Sequence, residues 1–167
     1  MIETCGIASS FFADAKRAVR TWPDLREWRQ TLALFVLFLV FATLANRVEY
    51  LFNFSAPDDW ASLLAIAALA LAVPAFAEEM VFRVILASRA GWWRCGIALV
   101  LFVVWHPVQV WLGLPMAQPV FLEPGFLAVV AGLGLVCTIA YRRTGSIWPA
   151  VAIHWGTVVL WKAVASG

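Results

Sequence analysis

Residues 60–88 read WASLLAIAALALAVPAFAEEMVFRVILAS. A membrane span needs about 20 consecutive apolar residues, with a range of about 17–25. At about 1.5 Å per residue, a helix over this stretch would measure about 43 Å, longer than the roughly 30 Å hydrocarbon core. Its length predicts a kink at Pro74, a strong tilt, or an end projecting into the interface. It also carries Glu78, Glu79 and Arg83, which no passive lipid anchor needs.

The rest of the chain agrees with a membrane reading. Of 167 residues, 63% are hydrophobic and 13% charged, with a mean hydropathy of +0.87. A soluble domain runs about 45–50% apolar and about 25% charged, and needs a polar shell over its core. So few charges cannot supply that shell. A soluble enzyme, a disordered chain and a nucleic-acid binder are all excluded, the last also by a net charge of +2 spread along the sequence. Cys5, Cys95 and Cys137 are odd in number and far apart, so they read as buried or lipid-facing thiols and not a disulfide framework. The ten Trp suit membrane–water interfaces.

Further spans are expected over Thr31 to Ala45, slightly extended at each end, Gly96 to Leu112, Gly125 to Tyr141 and Ser146 to Val164. The fold class is therefore all-α, a polytopic membrane bundle of about five transmembrane helices, residues 31–167. Residues 1–30 form a separate N-terminal segment with no apolar core of signal-peptide length. In it Phe11, Phe12, Ala15, Ala18, Val19 and Trp22 recur at helical spacing among basic residues, the pattern of a short amphipathic helix on the membrane surface. Lys16, Arg17, Arg20, Arg26, Arg29, Arg89, Arg94, Arg142 and Arg143 fall on one side of the spans, against Arg47 and Lys162 on the other. The positive-inside rule puts the N-terminus in the cytoplasm and the C-terminus outside.

The ionisable residues inside spans are Glu78, Glu79, Arg83, His106 and His154. Such groups cost about 2.5–3.5 kcal/mol each on insertion scales and mark function by default. Measured from the basic side, Glu78 and His106 lie about 15 Å deep and His154 about 12 Å, one level on three helices. Glu79 and Arg83 are four residues apart, the spacing of an ion pair on one helix face. Glu78 points about 100° away and has no partner in its own helix, which suits a general base or acid. Pro107 removes a backbone donor next to His106 and frees a carbonyl that can admit water.

Glu78-Glu79-Met80-Val81-Phe82-Arg83 reads EExxxR, and Phe102-Val103-Val104-Trp105-His106 reads FxxxH. Gly145-Ser146-Ile147-Trp148-Pro149-Ala150 leads into the helix carrying His154. In this order, on successive helices from about Trp60 to Val164, the motifs resemble the CPBP family, the CAAX-protease and bacteriocin-processing intramembrane proteins also called the ABI family. The resemblance implies a glutamate-type intramembrane endopeptidase without metal or other cofactor. Glu78 with His106 would activate a water and His154 would steady the oxyanion, with Glu79, Arg83 and Phe102 in support. The substrate would be a membrane-anchored protein, met at its C-terminal transmembrane or tag segment. The compact length resembles bacterial relatives of the inner membrane that process C-terminal sorting tags, more than enzymes of prenylated CAAX proteins. One departure stands out: the family's third motif is commonly HxxxN or HxxxD, and here the fourth residue after His154 is Val158. Thr157, Trp155 or a backbone group is left to replace that side chain.

Other readings compete with this one. Glu78, His106 and His154 are also a ligand set known for catalytic zinc, although no HExxH is present. A non-catalytic immunity or scaffold protein would explain Val158. A transporter would also turn charges toward a cavity, but five spans without an internal repeat fit it poorly. Oligomeric state is not legible in the sequence.

Overall fold

The computed structural model describes residues 3–49, 60–87 and 91–164. All regular structure among them is helical: α1 (Glu3–Arg20), α2 (Leu25–Glu49), α3 (Trp60–Ala87), α4 (Trp92–Trp111), α5 (Pro124–Thr144) and α6 (Trp148–Val164), with a 3-10 turn at Pro119–Leu122. Four of these are long and apolar enough to cross a membrane: Leu25–Arg47, Trp60–Ala87, Trp92–Trp111 and Pro124–Thr144. The fifth expected span, α6, is 17 residues long, at the short limit of the usual range. The protein is an all-α, multi-pass membrane bundle.

Helix boundaries follow local chemistry. α2 begins at Leu25, ahead of the apolar run, because Asp24 and Glu27 form a reciprocal cap. The Glu27 N–H donates to Asp24 Oδ1 at 2.7 Å, and the Asp24 N–H donates to Glu27 Oε2 at 2.8 Å. α3 breaks where its length demanded. Val73, directly before Pro74, leaves helical geometry (φ −140°, ψ 119°), as the steric bulk of a following proline favours. Wide, π-type turns flank that break at Leu71–Phe76 and recur at Met80–Ala87. At the far end, Arg94 donates to the carbonyls of Leu86 (3.1 Å) and Ile85 (3.3 Å), satisfying acceptors that α3 leaves open. α5 stops at Gly145, whose φ of 69° allows its N–H to reach Tyr141 O at 2.8 Å.

The bundle packs through small residues. α5 lies along α2, α4 and α6, and glycines on α5 and α6 admit side chains of α2 and α4. A Cβ at Gly132 would stand 2.6 Å from the Phe41 ring, at Gly134 2.5 Å from Leu99 Cδ1, and at Gly156 2.9 Å from the Phe35 ring. The amphipathic α1 meets the bundle at its C-terminal end. Ala18 is buried with Ala75, Val84, Tyr141, Ile147 and Val151. Its carbonyl accepts from the Ile147 N–H (3.1 Å), and the Val19 carbonyl accepts from Trp148 Nε1 (2.9 Å). Cys95 and Cys137 are free and buried, while the Cys5 side chain lies outside the described residues.

Candidate active site

Past the break at Val73, α3 turns two faces of one short segment toward different neighbours. Glu79 and Arg83 are fully buried on one face. Arg83 Nε lies 2.9 Å from Glu79 Oε2, a contact of charge more than of an aligned N–H, and Nη2 reaches Oε1 at 3.4 Å. The guanidinium carbon stands 4.4 Å from the centre of the Phe102 ring on α4. Glu79 Oε1 also accepts from His154 Nδ1 at 2.9 Å, so one carboxylate ties α3 to α6. Burying charges this deeply is tolerable only because each faces an opposite charge or a donor.

Glu78 occupies the other face. Its Oε1 accepts from Trp105 Nε1 (3.0 Å) and Gln109 Nε2 (3.4 Å), both on α4. Its Oε2 is buried and has no hydrogen-bond partner among the described residues. The carboxylate is therefore divided, with one oxygen fixed and the other kept available. His106 sits one turn after Phe102, and its Nδ1 lies 3.0 Å from the Phe102 carbonyl oxygen. A carbonyl only accepts, so Nδ1 carries the hydrogen and Nε2 of the neutral ring holds the lone pair. The Phe102 ring meanwhile packs edge-on against both His106 (5.1 Å) and His154 (5.8 Å).

A cavity of about 180 Å³ is lined by Glu78, His106 and His154, together with Gln109 and apolar side chains such as Phe126 and Leu133. Glu78 makes no ion pair with either histidine, whereas His154 Nδ1 meets Glu79. Among the described residues no group of three His, Cys, Asp or Glu side chains stands close enough to hold a metal ion. Of the side chains expected to make good the absent amide at Val158, Thr157 donates its hydroxyl to Ile153 O (2.8 Å). Trp155 donates Nε1 to Ala67 O (2.8 Å). Val158 itself is buried and lines the cavity as plain hydrocarbon.

Two residues of the site escape a search for charge, Trp105 and Gln109. Gln109 is neutral, yet a glutamine three positions after a histidine shares its helix face, and that spacing was the available signal.

The family model described as type II CAAX prenyl endopeptidase Rce1-like matches residues 60–160. The chain belongs to this family. The match runs from the first residue of α3 into α6 and so contains Glu78, Glu79, Arg83, Phe102, His106 and His154. The Rce1-like proteins are proteases within the wider CPBP family, and this chain is a membrane-embedded member. The matched region omits α2, which supplies Phe38, Leu39, Ala42 and Thr43 to the same cavity. No curated protein and no solved structure matches the chain.

Proposed function

We propose that this protein is a glutamate-type intramembrane endopeptidase in which Glu78 is the general base. The observation that carries the reading is the divided carboxylate, with Oε1 held by Trp105 and Gln109 and a buried Oε2 without a partner among the described residues, in a side chain that lines the cavity. A water there donates one hydrogen to Glu78 Oε2 and the other to His106 Nε2. Its oxygen attacks the scissile carbonyl while Glu78 takes the proton. The carbonyl oxygen becomes an oxyanion, which His154 stabilises from Nε2 when both ring nitrogens are protonated. The carbon–nitrogen bond then breaks, and the proton on Glu78 passes to the leaving amine. Glu79 and Arg83 hold His154, and Phe102 holds His106.

The substrate in this reading is a membrane-anchored protein cut near its C-terminal transmembrane or tag segment, with CAAX-type processing as the related alternative. The protein resides in the bacterial inner membrane, N-terminus in the cytoplasm and C-terminus outside, as the distribution of arginine and lysine supports.

The test is cleavage by the purified full chain in proteoliposomes. Two reporters are offered: a single-span membrane protein with a C-terminal tag, and a farnesylated CAAX peptide. Wild type cuts one of them, Glu78→Gln and His106→Ala do not at equal abundance, and chelator changes nothing. Loss of cutting with chelator, reversed by zinc, would turn the three side chains into metal ligands. Full cutting by Glu78→Gln would end the proposal.

A further inference from the structure

A peptide hydrolase needs hydrogen-bond donors aimed at the oxyanion, and neutral donors in this cavity are scarce. The Thr43 and Thr157 hydroxyls already donate to Leu39 O and Ile153 O, each at 2.8 Å. His106 and His154 commit their Nδ1 hydrogens to Phe102 O and Glu79 Oε1, which leaves each ring only Nε2, a donor solely in the doubly protonated form. Asn46 and Lys162 also line the cavity, at the C-terminal ends of α2 and α6. Gln109 differs from all of these. It is buried, lines the cavity one turn beyond His106, and its Nε2 stands 3.4 Å from Glu78 Oε1, at the long limit of a hydrogen bond. Its amide has two N–H groups, and that one contact occupies a single hydrogen.

We propose that Gln109 is a catalytic residue, its side-chain amide donating an N–H to the oxyanion that forms when water adds to the scissile carbonyl. The inference rests on the protease reading above. Gln109 adjoins the carboxylate that would take the water's proton, so the carbonyl under attack lies within its reach. No bond to Gln109 forms or breaks, and the N–H is released when the carbonyl re-forms. The amide would do from α4 what Val158 cannot do from α6.

The test compares wild type, Glu78→Gln, Gln109→Leu, Gln109→Glu and the double variant Gln109→Leu/Val158→Asn on the two reporters above, with abundance and melting temperature recorded. Gln109→Leu is expected to lower kcat about 100-fold or more with KM changed less than about threefold. Gln109→Glu keeps the shape and falls equally, which covers the case in which the leucine variant does not fold. Val158 lies one turn beyond His154 and lines the same cavity, so the asparagine in the double variant returns an amide and recovers at least about tenfold of the loss. A residue that merely braced Glu78 would not be rescued from α6. Undiminished kcat in folded Gln109→Leu, or a folded double variant no faster than the single, overturns the proposal while Glu78→Gln inactivity leaves the protease reading standing. Cutting that survives Glu78→Gln, or a wild type that cuts neither reporter, overturns both.

Discussion

Arg83→Met removes the cation from the most deeply buried charge cluster among the described residues. Arg83 and Glu79 are both 0% exposed, with Nε and Oε2 2.9 Å apart. Methionine keeps much of the aliphatic stem but leaves the Glu79 carboxylate without its cation, facing His154 Nδ1. Breaking one side of a buried pair costs about 3–5 kcal/mol, because the surviving charge has no solvent to return to. Loss of the guanidinium over Phe102 adds up to about 2 kcal/mol. The single variant should therefore lose about 4 kcal/mol or more. At about 2–4 °C per kcal/mol for a chain of this size, that is a fall in Tm of about 8–16 °C. In Glu79→Gln/Arg83→Met neither charge remains, and the glutamine can still accept from His154, so at least about 2 kcal/mol of the loss returns. The assay is unfolding in detergent micelles followed through the intrinsic tryptophan fluorescence, as a full double-mutant cycle. A loss under about 1 kcal/mol in Arg83→Met, or a double variant no more stable than the single, would refute the view that this pair is held by charge compensation.

Other outcomes test separate parts of the structure. Trp105→Phe deletes the 3.0 Å donor to Glu78 Oε1 and should lower kcat about 10- to 100-fold with KM unchanged, read from cleavage kinetics. Gly134→Val would drive a Cβ to 2.5 Å from Leu99 Cδ1 and 2.9 Å from Phe102 Cδ1, costing about 1–3 kcal/mol. Gly96→Ala, inside α4 with nothing within 4 Å, gains about 1 kcal/mol of helix propensity and should raise Tm by about 2–4 °C in the same experiment. Asp24→Ala removes the cap of α2 and should cost about 1 kcal/mol in unfolding, with cleavage kinetics unchanged.

Much of the architecture was legible because the bilayer simplifies the code. Length and apolarity alone mark α2 to α5, and Pro74 marks the break in α3, displaced by one residue to Val73 because a proline constrains the residue before it. The early start of α2 was also written in the chain, since Asp24-Leu25-Arg26-Glu27 is a capping box, but hydropathy does not respond to it. Within the site, the Glu79–Arg83 pair followed from helical spacing. The cross-helix partners did not, because nothing local says that the Trp105 indole and the Gln109 amide converge on Glu78, or that His154 pairs with Glu79. Those contacts depend on how α3, α4 and α6 are rotated against one another, which the glycine crossings of α5 help to set. Sequence spacing also left Thr157 and Trp155 open as replacements for an amide at Val158, and only the fold shows their hydrogens engaged with Ile153 O and Ala67 O.

The most direct measurement is single-turnover cleavage of the tagged membrane reporter by wild type and Glu78→Gln, reconstituted at equal abundance and with matching melting temperatures. With Glu78 as the base that takes the water's proton, the variant loses at least about 100-fold in rate while still binding the reporter. A variant that cuts within a few-fold of wild type would contradict that role and leave the divided carboxylate a structural feature only.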